Sequence, residues 1–169
     1  DPIITISPEL PDLIHNSIIK NNFILPDNVS LEQKIEEKED FYIVRKKFIT
    51  PGGILTDEKK VPKSKKGYGI APDPFITEPL LKSPEDLHKI KFLLQNPEKV
   101  DYLFIKDITE KVGENGLIAV RPTIGSDAFT VDALGIENAL IYSRLDREFL
   151  KETFKIFHSY NLKLAKKCL

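Results

Sequence analysis

The residues best placed to do chemistry stand at the end of one apolar run. In GLIAVRPTIGSDAF, residues 116–129, a strand-like stretch meets Pro122 and then Gly125, and it delivers Arg121, Thr123, Ser126 and Asp127. An arginine so placed could hold a substrate carboxylate through two parallel N–H bonds. Thr123 and Ser126 could hydrogen-bond a substrate, and Asp127 could serve as a general acid or base. The same side chains have plainer uses. Ser126 or Asp127 could cap the helix that follows, and Arg121 could pair with an acid on a neighbouring helix. The pattern leaves both uses open.

Other reactive side chains do not converge. His15, His88 and His158 fall on different elements, with no metal-ligand spacing. His158 and Cys168 are nearly three helical turns apart, too far to share an ion. Asp127 and Asp132 would point to different sides of a helix, so they are not a carboxylate pair. KSKK, residues 63–66, reads as a solvated run without the glycine cradle that phosphate binding needs. No serine-nucleophile motif is present.

Several elements must position these residues. Residues 1–29 are irregular, with four prolines and one short helix around Leu13, Ile14, Ile18 and Ile19. Ser30 followed by Gln33 has the form of a capping box, which predicts a short surface helix over LEQKIEEKE. FYIVRKKFITPGGILTDEKKV, residues 41–61, predicts a solvent-exposed β-hairpin around Thr50-Pro51-Gly52-Gly53. Residues 63–79 read as a loop. Ser83-Pro84-Glu85-Asp86 is a helix start, with a cap, a proline at the first position and acids near the positive end of the dipole. Leu87, Ile90 and Leu94 share one face of that helix.

A second helix starts at Asn96-Pro97 and stops at Gly113. The apolar strand of the opening motif follows, as a strand buried on both faces should. Residues 128–143 are helical with a break at Gly135. Asp146 then caps a long helix whose inner side carries Phe149, Leu150, Thr153, Phe154, Phe157, Tyr160, Asn161, Leu164 and Cys168. Helix, strand, helix without a nearby antiparallel partner predicts a parallel βα unit.

Composition narrows the class. The 169 residues suffice for one domain with a core. A net charge of -1 argues against nucleic acid or an anionic membrane as a partner. No apolar run is long enough to span a bilayer. A single cysteine suits a reducing compartment, and the expected location is the cytoplasm. The absence of methionine, and a last helix without a stop signal, suggest a piece of a longer protein.

Three stretches carry a resemblance: TPGGILT (50–56), EPLLKSPEDLHKIKFLL (78–94) and GIENALIYSRLDREFLKETFKIFHSYNLKLAKK (135–167). Their order resembles the uroporphyrinogen decarboxylase superfamily, which includes the corrinoid-dependent methyltransferases, over about residues 40–169. The resemblance implies an α/β fold, part of a (β/α)₈ TIM barrel with an inserted β-hairpin. It divides the chain into an N-terminal segment (1–40), the hairpin (41–62), a loop (63–79) and the partial barrel (80–169).

The family's "RQAGRY" arginine stretch and its strand ending in "FSD" are absent. Asp132-Ala133 stand where it places a substrate-contacting tyrosine. These departures argue against porphyrinogen decarboxylation and toward the methyltransferase-like branch.

The implied activity is on a small methylated or anionic substrate, with Asp127 catalytic and Arg121, Thr123 and Ser126 binding. No cofactor is expected within this chain. Zinc, or a corrinoid protein as partner, would enter through the remainder of the barrel. The chain could also form a homodimer. The alternatives are a porphyrinogen-type decarboxylase, a non-catalytic binding or structural relative that acts through an interface, and an unrelated small α/β domain.

Overall fold

The computed structural model describes residues 3–6, 25–63, 74–94, 96–99, 103–120 and 125–167. Its first half is an open antiparallel sheet. Strands β2 (Ser30–Glu37), β3 (Phe41–Thr50), β4 (Gly53–Pro62) and β5 (Phe75–Glu78) lie side by side in that order. Strand β1 (Ile3–Ile6) pairs in parallel with β6 (Leu117–Val120), making a separate two-stranded sheet. The helices come afterwards: α1 (Leu87–Leu93), α2 (Leu103–Val112), α3 (Ser126–Leu134), α4 (Ile136–Leu145) and α5 (Arg147–Lys167).

This order corrects the expected barrel. A (β/α)₈ barrel needs strands and helices in alternation around a closed parallel sheet. Here four strands come together, they run antiparallel, and their sheet is not closed. The likeness rested on a hairpin and helix starts, which are local features that many folds share.

The helix expected over LEQKIEEKE is strand β2. All eight of its residues pair with β3, from Ser30 opposite Ile49 to Glu37 opposite Tyr42. Leu31 is half-buried, while Glu32 and Lys34 are exposed. Over residues 30–34 that is the two-residue alternation of a half-covered strand, although Ile35 is exposed, and the ladder to β3 outweighs the capping-box pattern. Strand β5 lies within the stretch read as a loop and pairs with β4 through a register shift at Glu58/Lys59.

The hairpin forms where its residues predict, with Thr50 opposite Gly53 and Phe48 opposite Leu55. Its tip is not left to solvent. The Thr50 hydroxyl donates to the Gly53 carbonyl at 2.7 Å and accepts from the Gly52 N–H at 3.2 Å. The His88 Nε2–H of α1 donates to the Gly52 carbonyl at 2.9 Å. Phe48 and Leu55 enter a core with Leu81, Ile90, Leu93, Phe129, Leu134 and Phe157.

Local signals hold well among the helices. Gly135, at φ 75°, separates α3 from α4. The Asp146 carboxylate accepts from the Phe149 N–H at 3.0 Å and starts α5. Proline and acids do open a helical turn at Pro84–Asp86, although the Ser83 side chain makes no capping bond. Asp86 instead accepts from the Lys82 N–H at 2.9 Å and pairs with Lys89 at 2.7 Å. On α5, Phe149, Thr153, Phe157, Tyr160 and Leu164 are buried as expected, and Phe157 stacks on Phe129 at 5.3 Å. Phe154 is not part of that face. It is 40% exposed and stacks on His158. Cys168 lies outside the described residues.

The tip contact is close enough to test. A Cβ added at Gly52 would come within 2.8 Å of Phe92 Cε2 and 3.1 Å of His88 Cδ2. Gly52→Ala is expected to lower stability by about 1–3 kcal/mol, measured by urea denaturation. An unchanged midpoint would mean that the tip does not bear on α1.

Candidate functional site

The pleat divides the residues of the antiparallel sheet between two faces. One face carries three aligned rows: Leu31–Phe48–Leu55, Gln33–Lys46–Asp57 and Ile35–Val44–Lys59. The first row joins the core. The second places polar groups on the same covered side. Lys46, Asp57 and Lys59 are all more than nine-tenths buried. Burial pushes the Asp57 carboxyl above its ordinary value, while the charges of Lys46, Lys59 and Lys82 pull it down. Its Oδ1 atom has no hydrogen-bond partner. An ionised carboxylate kept from water without full pairing is costly, so the raised value follows.

The opposite face is charged and open. Across it run the rows Glu32–Lys47–Thr56 and Lys34–Arg45–Glu58. Lys47 pairs with Glu32 at 2.9 Å. Arg45 reaches Glu58 through Nε at 2.6 Å and Glu36 through Nη1 at 3.2 Å. Glu78 of β5 accepts from the Thr56 hydroxyl at 3.1 Å and pairs with Lys82 at 2.6 Å. Of these, Glu32, Lys34, Arg45, Lys47, Thr56 and Glu78 border a shallow groove of about 460 Å³, which Gln33, Lys46 and Asp57 also line.

Lys34 is the exception in this lattice. It makes no hydrogen bond or ion pair among the described residues, and it stands directly opposite Arg45. Like charges directly across a strand pair repel. Lys34, Arg45 and Lys47 thus form a triangle of cations on two adjacent strands. Two have carboxylate partners and one has none.

Of the residues singled out from the sequence, Ser126 and Asp127 lie elsewhere. Arg121 and Thr123 fall outside the described residues. Ser126 is the first residue of α3, and Gly125 occupies the cap position. The Ser126 hydroxyl accepts from Asn161 Nδ2 at 3.1 Å, tying α3 to α5. Its carbonyl accepts from the Thr130 hydroxyl at 2.7 Å. Asp127 is exposed in the first turn, where the helix dipole favours an acid. Neither side chain caps the helix, and neither lines the sheet groove.

Among the described residues no group of three or more His, Cys, Asp or Glu side chains could hold a metal ion. Among them, too, no helix is long and apolar enough to cross a membrane.

The cationic triangle was hidden by the helical reading of residues 31–39, which put Lys34 on a surface helix. The signal that could have found it is the alternation of Leu31, Gln33 and Ile35 with Glu32, Lys34 and Glu36.

No known protein family, curated protein or solved structure matches this chain. Its functional reading therefore rests on geometry.

The buried carboxyl sets a pH dependence. A carboxyl whose pKa is raised on folding holds its proton more tightly in the folded state. Its contribution to stability is fully present below the ordinary value of 3.8 and is lost as pH climbs through the raised value. Asp57→Asn removes that titration. The variant is expected to gain stability relative to the parent as pH rises through this window, followed by urea denaturation at a series of pH values. A stability difference that does not change with pH would contradict the raised value.

Proposed function

We propose that this chain is a binding domain for a small anion, a carboxylate or a phosphate, held on the open face of the antiparallel sheet. The observation that carries the reading is Lys34, unpaired among the described residues, directly opposite Arg45 and lining the groove. An anion seated between them would relieve the repulsion between like charges. It would also accept hydrogen bonds from an ammonium and a guanidinium, and charge-assisted bonds are the stronger kind. Lys47, one residue pair along, adds a third positive charge at short range.

The groove also sets limits on the ligand. Its volume is that of a small-molecule site rather than of an extended polymer track. Glu32, Glu36, Glu58 and Glu78 surround the cations, so a large polyanion would meet repulsion on several sides. The face is open to water, which screens each contact to about 1 kcal/mol or less. Binding is therefore expected to be weak and sensitive to salt. This reading keeps a small anionic ligand but moves it from the end of the apolar strand, near Arg121, Ser126 and Asp127, to the open face of the antiparallel sheet.

The test is a titration with inorganic phosphate and, separately, with succinate, followed by amide chemical shifts at low ionic strength. Saturable shifts on β2 and β3 around Lys34 and Arg45 are expected. Lys34→Gln should weaken binding by about 5-fold, as loss of one exposed charged contact predicts. Comparison of the two ligands tells carboxylate from phosphate. Shifts that never saturate, or that ignore Lys34→Gln, would overturn the reading.

A further inference from the structure

Helix α4 wears its apolar residues on the outside. Ile136 is 64% exposed, Leu140 66%, Ile141 43% and Leu145 81%. Its inner side is held by other residues. Ala139 is buried, Tyr142 packs edge-on against Phe149 at 4.9 Å, and the Tyr142 hydroxyl donates to the Lys82 carbonyl at 3.3 Å. A ten-residue helix with four large apolar side chains turned to water is a surface that a partner would cover.

The charges on this face say which partner. Glu137 and Arg144 are exposed, and neither makes an ion pair or hydrogen bond among the described residues. Seven residues separate them, nearly two full turns, so they lie on one line along the helix, about 10 Å apart. The outward residues are symmetric about the midpoint between Leu140 and Ile141. Ile136 mirrors Leu145, Glu137 mirrors Arg144, and Leu140 mirrors Ile141.

We infer that α4 is a self-complementary surface on which a second copy of this chain docks, antiparallel, about a two-fold axis through that midpoint. Such an axis sets each Glu137 level with the other copy's Arg144, giving two reciprocal ion pairs. It brings Leu140 to Leu140 and Ile141 to Ile141 in the middle. Ile136 and Leu145 extend the apolar strips outward. A parallel pairing would instead set Glu137 against Glu137 and Arg144 against Arg144, and it is disfavoured by like charge. The residue-for-residue reciprocity is what a two-fold interface requires.

One helix face of about 15 Å is a small contact. Permanent dimers bury about 2,000 Å² or more, so an association through one such face is expected to be reversible. It rests on α4 alone and is independent of the anion reading.

Acids near a helix start and bases near its end also suit the helix dipole without any partner. The experiment must separate the two. Sedimentation equilibrium of the intact chain, up to millimolar concentration, should show the mass rising from 19.3 kDa toward twice that value. Glu137→Arg and Arg144→Glu, each alone, should weaken dimerisation by about tenfold.

The double exchange should restore dimerisation, even though it sets both charges against the dipole. Leu140→Cys in a Cys168→Ser background should cross-link under oxidation, because the two-fold places that residue beside itself. A parent chain that stays monomeric at all concentrations would overturn the inference. So would a dimer that is indifferent to the charge reversals and does not cross-link through residue 140.

Discussion

Among the described residues, the seating of the β3–β4 hairpin tip on α1 is a contact on which the joining of sheet and helices depends. The sheet is open and one of its faces is charged, so it cannot bury itself. It reaches the core through the Phe48–Leu55 row and through Gly52, whose bare backbone lets the Phe92 ring and His88 close over the turn. The Thr50 hydroxyl fixes the turn from within. Helix α1 then carries Ile90 and Leu93 into the same core that α3 and α5 enter with Phe129 and Phe157. The contact depends on shape more than on any single strong bond, because a side chain at residue 52 has nowhere to go.

Away from that joint the sheet is polar on both sides, in different ways. On the open face, acids and bases alternate across strands, and most charges have a partner. On the covered face, Lys46, Asp57 and Lys59 are shielded from water, and the carboxyl responds by holding its proton more tightly. Buried charge is weak evidence of stability. Its effect here is to make the sheet sensitive to pH while the helical half relies on apolar packing. Among the described residues, the unpaired Lys34 and the outward-facing α4 are two places where the fold leaves an interaction unfinished. One is electrostatic and the other largely apolar.

The barrel expected from the resemblance is overturned for a reason visible in particular elements. TPGG, SPED and the run from Gly135 into Asp146 are signatures of a turn, a helix start and a helix break. Each forms where its residues predict, and none says which strands are neighbours. Residues 31–39 show the same weakness from the other direction. Ser30 and Gln33 have the spacing of a capping box, yet the backbone of β2 finds its partners on β3, outside the local stretch. The capping pattern offers one or two hydrogen bonds, whereas eight paired residues offer a whole ladder.

What the sequence alone determined is the local grammar: the hairpin turn, the stop at Gly113, the break at Gly135, the start of α5 at Asp146 and most of its buried face. These are set by φ preferences, capping groups and the helical period, all of which act within a few residues. The tertiary structure decided the antiparallel order of four strands and the burial of the hairpin tip. It also set Lys34 against Arg45 and turned four apolar residues of α4 to water. Each of these depends on pairs distant in the chain. Which distant pairs meet is decided by how all the apolar faces are covered at once, and no window of the sequence contains that sum.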